Sequence, residues 1–158
     1  ADGRQIQNPI GDVVGAVEAT PSVVVTGALT CTREVNGGRT MVINAAAGCA
    51  VTLPNATGTG SVYRFVIGTT ITSNSTTIKV NNATDVMSGR AYVISDNTAA
   101  VLGYATGSTD DTITLNGTTL GGFAGDVIEI TDAIAGTFLV EVHTKATGTE
   151  ATPFSATV

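Results

Sequence analysis

Residues 39–80 decide the fold class, and they read RTMVINAAAGCAVTLPNATGTGSVYRFVIGTTITSNSTTIKV. From residue 62 to residue 67, large side chains such as Tyr63 and Phe65 alternate with their neighbours at every second position. A period of two in a run rich in β-branched and aromatic residues predicts a strand with two distinct faces. Pro54 cannot donate to a ladder, so it closes the short apolar run before it.

The same pattern continues to the end of the chain. Short runs of Val, Ile, Leu and Thr are separated by clusters of Gly, Asn, Asp and Ser, and no stretch has the period of an amphipathic helix. We therefore predict an all-β fold, an antiparallel β-sandwich or barrel of the jelly-roll kind with about nine or ten short strands. A solenoid is the lesser alternative, because no strict repeat is visible.

Local signals give finer expectations. Residues 30–35 are expected to form the second strand, and the Asn-Gly pairs at 36–37 and 116–117 favour tight hairpins. Gly103, inside the predicted strand at residues 100–105, is expected to mark a β-bulge.

The N-terminal segment differs from the rest of the chain. Residues 1–21 have no sustained period, so we expect an extended N-terminal arm, with residues 22–158 forming a single β-domain. Arms of this kind bury little by themselves and often pack on a partner, although a frayed tail is the alternative. The apolar residues of the arm are the candidate docking residues, namely Ile6, Pro9, Ile10, Val13 and Val14.

Charge limits the choice of partners. The chain has a formal net charge of −6, and only 13% of its residues are charged. Its seven basic residues are scattered, whereas nucleic-acid binding needs Lys and Arg clustered on one face. No apolar run approaches the roughly 20 residues that span a bilayer. We therefore expect neither nucleic acid nor membrane as a partner, and a surface polar through Thr, Ser and Asn is common in extracellular and virion proteins.

The search for catalytic residues gives none. His143 is the only histidine, and a lone histidine in a strand is usually a surface or packed side chain. Asp126, Glu129 and Asp132 are close in sequence and could serve glycoside hydrolysis or Ca²⁺ binding. However, Asp126 and Glu129 have opposite parity on the predicted strand and point to different faces. The pair at 110–111 is typical of a turn, so we expect no catalytic residue, no metal and no enzyme activity.

Two further motifs are weak. The glycine-rich loop at 121–125 has no lysine and no following helix, so it lacks the features of a phosphate-binding loop and no cofactor is expected. Cys31 and Cys49 do not make a zinc site. They are expected to be small buried residues, and a disulfide between them stays open.

Several strings of the chain resemble a known class of proteins. They are VTLP at 51–54, GTGSVYRFVI at 58–67, DTITLNG at 111–117, GDVIE at 125–129 and GTEATPF at 148–154. Together they resemble small virion proteins of tailed bacteriophages, of the capsid decoration (cement) or head-fibre kind, especially from phages of cyanobacteria and other aquatic bacteria.

The resemblance implies a structural role. It implies a protein made in the host bacterial cytoplasm that binds the major capsid protein on the capsid exterior and stabilises the head, usually as a homotrimer. It carries over no catalytic residues. A fibre or spike domain that binds a host-surface glycan is the alternative, although three Tyr, four Phe and no Trp leave few aromatic rings for sugars.

Overall fold

A computed structural model describes residues 21–158, which form two mixed β-sheets packed against each other. The strands are β1 (Val23–Val25), β2 (Leu29–Thr30), β3 (Thr40–Ile43), β4 (Ala50–Thr52), β5 (Val62–Ile67), β6 (Thr76–Lys79), β7 (Val86–Ser95), β8 (Val101–Ala105), β9 (Thr112–Leu115), β10 (Val127–Ile134), β11 (Thr137–Ala146) and β12 (Phe154–Ser155). One helical turn, α1 (Arg33–Asn36), lies between β2 and β3. The predicted all-β sandwich is confirmed.

The strand orders show how the sheets are assembled. The seven-stranded sheet has the order β1-β3-β5-β10-β11-β7-β8, and the five-stranded sheet has the order β12-β9-β6-β4-β2. From β1 to β6, successive strands alternate between the two sheets, and neighbours within each sheet run parallel. Parallel neighbours need a crossover, which is normally a helix. Here each crossover contains a strand of the opposite sheet.

This first half therefore winds like a short, irregular solenoid. The register partners Val23, Met41 and Phe65 are unequally spaced along the chain, which is why the sequence shows no strict repeat. The remaining strands complete both sheets, with antiparallel pairs and one long parallel pair between β7 and β11. Half of the pairings are parallel, so the sheets are mixed rather than purely antiparallel. Alternation of side chains does not report strand direction.

The core lies between the sheets and is aliphatic. Alternate residues of each strand face inward, as the pattern on β11 shows most clearly, where every second residue from Phe138 to Ala146 is buried. The largest fully buried side chains include Tyr63, Phe65 and Phe138 from the seven-stranded sheet and Ile78 and Leu115 from the five-stranded sheet. The periodicity predicted for residues 62–67 is thus confirmed.

The predicted strand at 30–35 is wrong beyond its first residue. Thr32 caps α1, because its Oγ1 accepts a hydrogen bond from Val35 N–H at 3.3 Å, and its own N–H donates to Asn36 Oδ1 at 2.9 Å. These reciprocal bonds satisfy donors at the start of the turn. The Asn-Gly pair at 36–37 therefore ends a helical turn, and β2 and β3 belong to different sheets.

Two other local expectations are also wrong. The pair at 116–117 does not form a hairpin, because β9 and β10 lie in different sheets. Instead, Asn116 Oδ1 accepts hydrogen bonds from the N–H groups of Thr118 and Leu120 at 2.9 and 3.0 Å. Gly103 marks no bulge, since the pairing of β7 with β8 is regular from Arg90 to Ile94.

Candidate functional surfaces

The carboxylate of Asp132 holds a loop. Asp132 is a buried residue of β10 and accepts hydrogen bonds from Gly58 N–H at 2.7 Å, Thr57 N–H at 2.9 Å and Thr59 Oγ1 at 2.7 Å. Burial alone raises the pKa of Asp132, but the hydrogen bonds from the loop outweigh it and hold the pKa below its ordinary value. The residue is bound as an ionised carboxylate that fixes residues 57–59.

The carboxylate of Asp126 likewise holds a loop, the glycine-rich segment at residues 121–125. Its Oδ2 accepts hydrogen bonds from Gly122 N–H at 2.8 Å and Phe123 N–H at 2.9 Å, and also from the hydroxyl of Thr144. Its Oδ1 accepts from Lys145 N–H at 3.2 Å. Two N–H groups of this loop are therefore already bound to a side chain of the chain itself.

Asp111 fastens the C-terminal segment. It accepts hydrogen bonds from Thr157 N–H at 2.9 Å, Val158 N–H at 3.2 Å and Thr112 Oγ1 at 2.7 Å. Burial raises its pKa, but these bonds, with Lys79 nearby, leave the pKa below its ordinary value. The neighbouring Asp110 accepts from Gly107 N–H at 2.8 Å, which confirms the turn chemistry predicted for this acidic residue.

These hydrogen bonds give a structural role to the aspartates that the sequence analysis considered as candidates for catalysis or metal binding. Asp126 is buried whereas Glu129 is exposed, so the opposite parity predicted for them is confirmed. Asp111, Asp126 and Asp132 each hold a different loop or segment rather than pairing with one another. Within residues 21–158, no group of three or more His, Cys, Asp or Glu side chains is placed to hold a metal ion.

Both cysteines are buried thiols and are not bonded to each other. Their burial confirms the expectation of two small buried residues. Burial raises the pKa of Cys31 to about 12. It also raises the pKa of Cys49, against a smaller opposing effect of a hydrogen bond with Thr76. Neither thiol has the lowered pKa of a reactive cysteine.

A mostly apolar row crosses the outer face of the seven-stranded sheet. In register order from the β1 edge, it consists of Val24, Val42, Val66, Val127, His143, Tyr92 and Gly103, and we call it the outer row. Val24 is 61% exposed. The rings of Tyr92 and His143 lie 5.3 Å apart, so the exposed histidine packs on a neighbour at the surface, as expected for a lone strand histidine.

The outer face of the five-stranded sheet has a different character. Its register rows carry mostly threonines, with Thr30 beside Thr52 and Thr77 beside Thr114. Threonine satisfies the β preference of a strand while offering a hydroxyl to water. The contrast matters because an apolar surface costs solvation free energy that a threonine surface does not. The outer row is thus a candidate contact surface, although another register row of the same face is charged, with Arg64 beside Glu129 and Glu141 beside Arg90.

The alignment of these residues in one row was not predicted from the sequence. Each valine lies at a solvent-facing position of a predicted strand, but only the register aligns them. The predicted docking residues Ile6, Pro9, Ile10, Val13 and Val14 lie outside the described residues.

One end of the sandwich holds an open groove of about 440 Å³. Most of the residues that line it are polar, including Thr32, Arg33, Asn55, Thr57 and Asn81, beside the apolar Leu53 and Pro54. The groove contains hydrogen-bond donors and acceptors suited to a polar ligand. It has few aromatic surfaces for stacking, since Tyr63 at its floor is fully buried.

No protein-family model, characterised protein or solved structure matches the chain. Among the residues that the structure describes, no helix is long and apolar enough to span a membrane.

Proposed function

We propose that the protein is a structural virion protein, a capsid decoration (cement) protein that binds the outside of a phage head and stabilises it. The observation that supports this most is the outer row, which aligns the four valines Val24, Val42, Val66 and Val127 on the outer face of the seven-stranded sheet. Contact with another protein would remove that surface from water, at about 25 cal/mol per Å² of apolar area.

The buried acidic residues favour a structural role over a catalytic one. Each buried carboxylate described above accepts hydrogen bonds from loop N–H groups, which stiffens the connections between strands. Rigid loops suit a protein whose work is to hold a fixed shape on a surface. A hydrolase would instead need an acid pair free to exchange protons with a substrate.

The proposed partners are the major capsid protein and further copies of the chain, assembled as a homotrimer on the head. The arm at residues 1–21 adds a second proposed contact, through Ile6, Pro9, Ile10, Val13 and Val14. Ordering such a segment costs about 1–2 kcal/mol per residue in backbone entropy. Burial of its apolar side chains on the capsid would offset that cost.

The test uses heads of the phage that encodes the protein. We expect the full chain to co-purify with intact heads at a fixed ratio to the capsid protein. Val24→Asp, in the outer row, and the arm double variant Ile6→Ser/Ile10→Ser are each expected to lower that ratio. Thr30→Asp is the control, because Thr30 is also exposed but lies on the other sheet. Absence of the protein from purified heads would refute the proposal.

A fibre or spike domain that binds a host-surface glycan is the second candidate, and the polar end groove supports it. Amides such as Asn55 and Asn81 and the guanidinium of Arg33 could bind sugar hydroxyls. A glycan-array screen separates the two candidates. Binding that is lost in Asn55→Ala/Asn81→Ala and kept in Val24→Asp would favour the glycan-binding function.

A further inference from the structure

The strand β8 forms one edge of the seven-stranded sheet, and within residues 21–158 its outer backbone groups have no hydrogen-bond partner. Ser95 N–H donates to Ala100 O at 2.9 Å, and Thr106 N–H donates to Gly89 O at 3.1 Å. In an antiparallel pair, bonded and non-bonded positions alternate. The N–H and C=O groups of Leu102 and Tyr104 therefore face β7, and those of Val101, Gly103 and Ala105 point away from the sheet.

This edge lacks the usual protection against pairing. Proteins protect exposed edges with charges, prolines, bulges or very short strands. The sequence of β8, VLGYA, has no charged residue and no proline, and its pairing with β7 has no bulge. With five residues it is also longer than the other three edges, β1, β2 and β12.

The strand is also held rigidly in place. Leu102 and Tyr104 pack against the core from the inner face, and the hydroxyl of Tyr104 donates to Glu150 O at 3.0 Å. On the outer face, Val101 is 62% exposed beside Ile94, which is 56% exposed. A regular edge with free donors and acceptors is a template for one more strand.

We propose that β8 pairs antiparallel with β8 of a second copy about a twofold axis through Gly103, joining two seven-stranded sheets into one. The three outward-facing residues are spaced evenly about Gly103, so each finds a partner: Gly103 faces Gly103, and Val101 faces Ala105 of the second copy. This contact goes beyond the proposed function, and it is independent of the capsid.

The absence of charge on β8 makes the edge compatible with itself, which favours a second copy as the occupant. Like charges directly opposite each other destabilise a strand pair, and β8 brings none to the contact. The nearest charge in register is Arg90, which lies opposite Ala105 on β7 and hence one strand inside the edge. Copies with a net charge of −6 can therefore meet along a strip that is locally uncharged.

Gly103 offers a clean set of variants. A Cβ added there meets no atom within 4 Å, and its φ lies outside the left-handed region, so side chains fit the monomer. Gly103→Pro removes the central outward N–H, and Gly103→Lys places two ammonium groups opposite each other. Gly103→Thr is the matched control, because it keeps the N–H and favours a strand.

The experiment measures mass by light scattering over a range of concentrations, together with amide hydrogen exchange. We expect the full chain to reach twice its 15.8 kDa mass as concentration rises. The amides of Val101, Gly103 and Ala105 should then become as protected as those of Leu102 and Tyr104. Gly103→Thr should behave likewise. Gly103→Pro and Gly103→Lys should stay at the lower mass, with only Leu102 and Tyr104 protected.

Amide hydrogen exchange at β8 also distinguishes this contact from the proposed trimer, which need not involve β8. An oligomer of any size in which the Val101 and Ala105 amides exchange as fast as in the dilute protein overturns the inference. A chain that remains monomeric at every concentration overturns it too. If Gly103→Pro fails to fold, Gly103→Lys decides the outcome alone, and unchanged association in that variant refutes the pairing.

Discussion

The carboxylate of Asp132 on β10 accepts a 2.7 Å hydrogen bond from the backbone N–H of Gly58, which precedes it by 74 residues in the chain. The bond ties the loop between β4 and β5 to the far end of the β10 strand. Since three successive N–H groups of that loop, from Thr57 to Thr59, point at one carboxylate, no water is needed to satisfy them.

Replacement of Asp132 should therefore destabilise the fold. We expect Asp132→Ala to lower the free energy of unfolding by about 2–4 kcal/mol, because several donors lose a charged acceptor at once. Urea denaturation followed by circular dichroism measures this loss. Glu129→Gln on the same strand is the control and should change stability by less than about 0.5 kcal/mol, since Glu129 is exposed. Equal effects of the two variants would contradict the assigned role.

Stability should also fall in acid. The pKa values of Asp132 and Asp111 are lowered in the folded protein, so the unfolded state takes up protons first as the pH falls. Their contribution is complete above about pH 5, which lies above the unfolded pKa of about 3.9, and it is lost as the pH falls through the lower folded values. Unfolding free energies measured at several pH values should show this decline. The decline should be shallower in Asp132→Asn and in Asp111→Asn, and identical slopes in all three proteins would rule out this origin.

Gly117 is expected to be irreplaceable, for two separable reasons. Its φ is +75°, which costs an L-residue about 1–2 kcal/mol. In addition, a Cβ would lie 1.8 Å from the carbonyl oxygen of Ile71. Gly136→Ala isolates the first cost, because Gly136 has a φ of +79° and open space around it. We expect Gly117→Ala to be at least about 2 kcal/mol less stable than Gly136→Ala, by the same denaturation measurement. Equal losses would show that the loop moves to make room.

The buried thiols should react slowly in the folded protein. Burial shields Cys31 and raises its pKa to about 12, so little thiolate forms near neutral pH. With Ellman's reagent at mildly alkaline pH, we expect slow labelling of the native chain and rapid labelling of both thiols in denaturant. The single variants Cys31→Ala and Cys49→Ala assign each phase. Immediate reaction of either thiol without denaturant would show that its site opens.

Much of the fold was predictable because strand formation depends on local sequence. The alternation of Tyr63 and Phe65 with their neighbours predicts a two-faced strand, and the opposite parity of Asp126 and Glu129 correctly separates their faces. The wrong strand prediction at residues 30–35 also has a local cause. Thr32 and Asn36 close a helical turn through side-chain bonds that compete with strand structure, and hydrophobic periodicity does not report such bonds.

The candidate surfaces could not be predicted from local sequence patterns. The sequence by itself determined that short, aliphatic, two-faced strands would form and that little charge would cover them. Only the tertiary structure decided that Val24, Val42 and Val66 align in one row, because alignment depends on the register between strands far apart in the chain. It also decided that β8 lies at an edge, since every strand carries the same backbone groups and only its neighbours determine which of them stay free.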